Sequence, residues 1–245
     1  MVEIRRRTHD VTEGKAVSSS NVMNTESKPM YRWKDIPWPK LERMVYKLQK
    51  RIYQASRCGN VALVHRLQKL LVKSWSAKAI AVRRVTQENQ GKKTAGVDGV
   101  KSLSPAARLK LIDQLKLGTK VKPTRRVWIP KPGTVEKRPL GIPTMYDRAL
   151  QALVKMALEP EWEALFEPNS YGFRPGRNCH DAIQAIQCSI KQKAKYVLDA
   201  DIAKCFDRIN HEKLLEKLNT FPTFHQTSPS LVKSWCNGWK RIIPN

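Results

Sequence analysis

Leu198-Asp199-Ala200-Asp201-Ile202-Ala203-Lys204-Cys205-Phe206-Asp207-Arg208-Ile209-Asn210-His211 is the stretch on which the reading of this chain turns. From Tyr196 to Ile202 the residues alternate. Tyr196, Leu198, Ala200 and Ile202 fall on one side, and Val197, Asp199 and Asp201 on the other, which predicts a strand presenting two carboxylates together. Two acids on one strand face are costly if buried unpaired, so they require solvent, a basic partner or a cation. A divalent metal satisfies both, but an Asp-x-Asp pair alone fits an exposed strand end or a salt bridge to nearby lysines equally well. The features around it must decide.

Upstream of that strand, Ile183, Ile186 and Ile190 recur at helical spacing behind Asn178, a good helix cap. Before them lies the loop Ser170-Tyr171-Gly172-Phe173-Arg174-Pro175-Gly176-Arg177. Leu150, Leu153, Val154, Ala157 and Leu158 define a buried helix expected to break around Pro160. Further back, Arg125-Arg126-Val127-Trp128-Ile129-Pro130 and Arg138-Pro139-Leu140-Gly141-Ile142-Pro143 flank the turn Lys131-Pro132-Gly133, predicting a β-hairpin with a basic tip. Ser104-Pro105 starts a short helix through Leu109, Ile112 and Leu115 that Gly118 ends.

The N-terminal part is different in character. Leu41, Met44, Val45, Leu48 and Ile52, then after Cys58-Gly59-Asn60 the series Val61, Val64, Leu67 and Leu71, predict a helical hairpin. Its outward positions are basic, among them Lys69, Lys73, Arg83 and Arg84. The 245 residues hold 46 Lys+Arg against 21 Asp+Glu, a net charge of +25, so a phosphate-backbone footprint explains these positions better than a merely solvated face. Residues 1–30 are polar without periodicity and are expected to form a disordered leader. The predicted organisation is that leader, a basic helical extension over 31–92, and a mixed unit over 93–245.

No apolar run approaches the roughly 18 residues of a membrane span, and the N-terminus lacks a secretory apolar region, so a cytoplasmic protein without membrane contact is expected. Cys58, Cys179, Cys188, Cys205 and Cys236 make no Cys-x-x-Cys pair and are expected to be buried, reduced thiols rather than metal ligands.

Taken in order, the basic hairpin, the Gly-Phe-Arg-Pro loop, the helix and the Asp199–His211 block resemble the first half of a group II intron-encoded reverse transcriptase/maturase, from about Trp33 through His211 and on toward the end. The resemblance implies an α+β fold: right-hand polymerase fingers and a partial palm, preceded by the helical extension. Ala95-Gly96-Val97-Asp98-Gly99 resembles the extension loop before the fingers in non-retroviral reverse transcriptases. It implies that Lys131 and Arg138 of the hairpin hold the phosphates of a dNTP, with fixed positive charge offsetting that of the leaving pyrophosphate. Arg125, Arg126, Arg174 and Arg177 are candidates for the RNA template backbone, although Arg174 and Arg177 fit salt bridges to local acids equally well.

On the same resemblance Asp201 is the first catalytic, metal-binding aspartate, Ile202 lends its backbone carbonyl to Mg2+, and Phe206 is the aromatic gate against a ribose 2′-hydroxyl. Asp199 is then a neighbour, while Asp207 and His211 belong to the cap of a helix through Leu214, Leu215 and Leu218. Two-metal phosphoryl transfer requires several converging carboxylates, and no Asp follows Asp207, so the later Tyr/Phe-x-Asp-Asp hairpin of the family is absent here. The expectation is a chain carrying fingers and the start of a palm, inactive as a polymerase by itself. RNA and nascent DNA are its implied partners, along with a C-terminal partner chain supplying the rest. The alternative is a non-catalytic RNA-binding protein that assists intron splicing, and a third reading is a truncation product with exposed strand edges.

Overall fold

The computed structural model describes residues 32–118, 122–191, 195–203, 208–217 and 242–243. The expected leader over 1–30 and the candidate gate Phe206 lie outside them.

α1 (Trp38–Arg57) turns Leu41, Val45, Ile52 and Ala55 inward at helical spacing and ends at Cys58-Gly59, where Gly59 takes a φ of 66° that favours glycine. Asn60 caps α2 (Val61–Lys73), its side chain accepting the Leu63 N–H at 3.0 Å, and α2 buries Val64, Leu67, Leu71 and Val72. The helical hairpin expected from the apolar spacing is therefore present. α3 (Trp75–Arg83) is buried almost all round through Ser76, Ala77, Ala79, Ile80, Ala81 and Val82, as befits a helix packed against α1, α4 and α5. A π-helical turn, Arg84–Glu88, continues it. α4 (Pro105–Gln114) starts at the expected Ser104 cap, whose hydroxyl accepts the Ala107 N–H.

α5 (Met145–Glu163) corrects one expectation, because the helix runs through Pro160. Proline has no N–H, so the Met156 carbonyl loses its helical donor. Gln49 Nε2 of α1 replaces that donor at 3.0 Å. Nearby, the fully buried Gln68 of α2 donates from Nε2 to the Ala157 carbonyl at 3.3 Å and to Glu161 Oε2 at 2.6 Å. Ser56 Oγ donates to the Glu161 carbonyl at 3.1 Å. Three side chains of the N-terminal hairpin thus tie it to the weakened turn of α5, in addition to the apolar contact of the layers.

β1 (Thr124–Pro130) and β2 (Lys137–Ile142) form the expected antiparallel hairpin, with Val127 opposite Leu140 and Ile129 opposite Arg138, closed by the Lys131 N–H to the Glu136 carbonyl at 2.9 Å. β3 (Ile242–Ile243) adds to β1 in parallel, giving the order β2-β1-β3. The result is a helix-rich α+β arrangement with a small sheet.

Beyond α5 the packing changes. α6 (Cys179–Ile190) begins with a capping box in which Asn178 accepts the Asp181 N–H and the Asp181 carboxylate accepts the Asn178 N–H. Yet it buries no side chain, and Ile183, Ile186 and Ile190 are 60%, 60% and 49% exposed. The strand expected over Tyr196–Ile202 is not formed, and Tyr196, Val197, Leu198 and Ile202 are all exposed. Alternation gives a strand only where a neighbour takes up its backbone hydrogen bonds, and among the described residues no strand lies beside this segment. α7 (His211–Lys217) is capped by Asn210, which accepts the Glu212 and Lys213 N–H groups, while Asp207 and the His211 side chain lie outside the described residues. Cys58, Cys179 and Cys188 are free but exposed, against the expectation of buried thiols, because α6 buries no side chain among the described residues and Cys58 sits in the α1–α2 turn.

Candidate functional site

The loop Thr94–Gly99 is held against the start of α5 by a residue that the sequence reading passed over. Arg148 donates to three backbone carbonyls, Pro143 at 3.0 Å, Gly91 at 2.8 Å and Thr94 at 2.5 Å, and Arg125 Nε donates to Ala95 at 3.0 Å. Gly96 lies so close to α5 that a Cβ would stand 2.8 Å from Thr144 Cα and 2.9 Å from the Pro143 oxygen. An arginine in the first turn of a helix after a Thr-x-x-Asp cap carries no local signal of this role, since its partners lie more than fifty residues away in two of the three cases.

The hairpin carries the candidate phosphate ligands. Lys131 pairs with Glu136, whose carboxyl it holds below the usual range through their hydrogen bond and its charge. Arg138 is exposed on β2 beside Lys137. The Arg126 guanidinium lies 5.7 Å from the Trp128 ring centre, and Arg125 is drawn into the Ala95 contact, so these two arginines brace the hairpin as well as charging it.

In the Tyr171–Arg177 loop the two alternatives left open for Arg174 separate. Arg174 is 8% exposed, pairs with both Glu163 oxygens at 3.1 and 2.7 Å, and donates to the Glu167 and Ser170 carbonyls. Hydrogen bonding to Glu163 raises its pKa further. It anchors the loop to the end of α5. Arg177 donates to the Pro168 carbonyl at 2.6 Å and lies over the Tyr171 ring at 5.5 Å, half-buried, with part of its guanidinium uncommitted among the described residues.

On the helical layer, Lys69 and Lys73 stand one turn apart on the exposed side of α2, and Arg84 is exposed on the π-helical turn, all without an acidic partner among the described residues. Arg83 differs: it pairs with Glu42 at 3.2 Å and Glu88 at 2.8 Å, and stacks 4.7 Å over Trp38. Trp38 meets Trp33 edge to face, and Arg108 covers Trp33, so Arg83 belongs to a packed ladder.

Asp199 and Asp201 are exposed on the unpaired 195–203 segment, and Asp201 Oδ1 accepts the Ile202 N–H at 2.8 Å. Among the described residues no three His, Cys, Asp or Glu side chains come together to hold a metal ion. Asp201 and the Ile202 carbonyl thus supply a fragment of a donor set, and these residues do not fit the two-ion site that the chemistry requires. Among the described residues, therefore, no seat for a divalent metal is assembled.

Comparison with known proteins matches residues 33–115 to the N-terminal domain of reverse transcriptase and residues 129–244 to reverse transcriptase (RNA-dependent DNA polymerase). Protein YkfC of Escherichia coli is 34% identical over 184 residues, covering 71% of this chain and 47% of the relative. Group II intron-encoded protein LtrA of Lactococcus lactis is 39% identical over 134 residues, covering 54% of this chain and 22% of the relative. Maturase-like protein 1 of Euglena gracilis is 32% identical over 196 residues, covering 74% and 41%. The matched regions thus span less than half the length of each of these relatives. No described helix is long and apolar enough to cross a membrane. With both reverse transcriptase regions in order and intron-encoded relatives matching across them, the chain belongs to the group II intron reverse transcriptase/maturase family.

Proposed function

We propose that these 245 residues are the RNA-gripping part of an RNA-directed DNA polymerase, the fingers and the opening of the palm, and that they bind intron RNA without polymerising by themselves. The observation that carries this reading is the contrast in how the charged groups are supported. Among the described residues Lys69, Lys73 and Arg84 stand without an acidic partner on a well-packed helical layer, whereas Asp201 sits on a segment with no described strand beside it.

RNA phosphates lie along Lys69, Lys73 and Arg84, and the template backbone meets Arg126 and Arg177. Lys131 and Arg138 take the dNTP phosphates, with Lys131 exchanging Glu136 for the incoming anion. Phe206 gates the ribose, and Asp201 with the Ile202 carbonyl contributes to Mg2+ only once further carboxylates are present. Those carboxylates and the thumb come from polypeptide corresponding to the remainder of the relatives, acting on nascent DNA, and a C-terminal partner chain is one form that polypeptide takes. Arg174 and Arg83 act through the structure they hold rather than by touching RNA.

The test is RNA affinity across a salt series. The binding constant falls with salt by about 0.7–0.9 logarithmic units per decade for each phosphate contact. Lys69→Gln and Lys73→Gln each reduce the slope by about that amount at unchanged melting temperature. Arg83→Gln lowers the melting temperature first. A flat salt response in the wild type removes the proposal.

A further inference from the structure

A cavity of about 740 Å³ opens between the Asp98–Leu103 loop, α4 and the start of α5, apart from the hairpin and from the carboxylate segment. Leu111 forms part of its floor. Tyr146 lines it with its hydroxyl already fixed, donating to the Lys116 carbonyl at 2.9 Å and accepting the Lys116 N–H at 3.3 Å, so the ring is held as a rigid wall. At the rim stand Lys110 and Lys122, both exposed, and the carboxylate of Asp98. Asp98 Oδ1 accepts the Val100 N–H at 3.2 Å, which orients the carboxylate, the Arg148 charge acts on it from α5, and both oxygens keep lone-pair sites for a two-donor ligand.

We propose that this cavity receives a guanine base extruded from the bound RNA. A fixed aromatic ring with an apolar floor suits a flat base. Two lysines at the mouth suit the phosphates on either side of an extruded nucleotide. An oriented carboxylate, an acceptor with no donor, selects a base edge bearing two adjacent N–H donors, which guanine has at N1 and N2 and the other bases lack. This inference rests on the RNA-binding reading and adds a base preference to it.

The experiment compares an RNA hairpin carrying one bulged guanosine with the same hairpin carrying an abasic bulge, and competes each with GMP, AMP, CMP and UMP. The bulged-guanosine hairpin binds about tenfold tighter, of the order that one stacked base contributes, and only GMP competes with that excess. Ala107→Trp, which fills the cavity from α4, removes the tenfold difference and leaves the salt slope intact. Asp98→Asn, a milder change, removes the guanine preference. Equal binding of the two hairpins, or a difference that survives both substitutions, overturns the inference while leaving the wider RNA reading in place. GMP binding that neither substitution alters places the nucleotide elsewhere. Absence of RNA binding by the wild type removes both readings, and GMP binding confined to the free nucleotide overturns the extruded-base inference alone.

Discussion

The helices from Trp38 to Glu163 and the segment from Cys179 to Ala203 carry equally regular apolar patterns, and only the first set is buried. Ile52, Leu71, Leu150 and Leu153 are essentially inaccessible, whereas the isoleucines of α6 are 49–60% exposed. The difference lies in what each pattern meets. α1, α2, α3 and α5 face one another, and Gln49, Gln68 and Ser56 tie the hairpin to the weak turn at Pro160. α6 and the 195–203 segment meet no such partner among the described residues. Charge follows packing: the cations proposed for RNA stand on the region that is held, and the carboxylates proposed for metal stand on the region that is not.

The sharpest break of this contrast is a pair of truncations. Leu71→Ala opens a cavity in the helical core and costs about 2–5 kcal/mol, read as a fall in denaturant midpoint. Ile186→Ala on α6 changes stability by less than about 0.5 kcal/mol. A large effect of Ile186→Ala reveals packing on α6 that the contrast denies.

Next in size is Gly96→Ala, whose Cβ meets the Pro143 and Thr144 backbone just ahead of α5 rather than a movable side chain, at about 1–3 kcal/mol. The same substitution at Gly172, with open space around it, is near neutral. Gln49→Leu leaves the Met156 carbonyl without a donor and costs about 1–3 kcal/mol. Hydrogen exchange then rises at the C-terminal end of α5 before it rises elsewhere in the core.

The smallest effect is on pH dependence. Burial raises the pKa of Asp147 in spite of the Thr144 hydroxyl donated to it, so the folded value lies above the unfolded one. Its contribution is then complete below the unfolded pKa and lost as pH rises through the folded pKa. Melting temperatures across that window fall slightly in the wild type, and Asp147→Asn flattens the fall.

Much of the helical layer was legible, because its signals are local: apolar spacing, the Asn60, Ser104 and Asn178 caps, and the turn at Lys131-Pro132-Gly133. Long-range partnerships were not. Alternation at Tyr196–Ile202 predicts which side chains share a face but says nothing of whether a neighbouring strand exists. Pro160 reads as a helix breaker until Gln49, more than a hundred residues earlier, replaces the lost donor. Arg174 looked equally suited to RNA and to an acid because a single guanidinium satisfies either, and only the fold brings Glu163 to it. The family, by contrast, was readable from the order of its motifs.

Magnesium-dependent primer extension on an RNA template, run beside RNA binding at several salt concentrations for the wild type and Asp201→Ala, tests most directly whether grip and catalysis are separable here. The account predicts tight, salt-sensitive binding that Asp201→Ala leaves unchanged, with no extension by either protein. Extension by the wild type that Asp201→Ala abolishes contradicts it, because a complete carboxylate set is then assembled within these 245 residues.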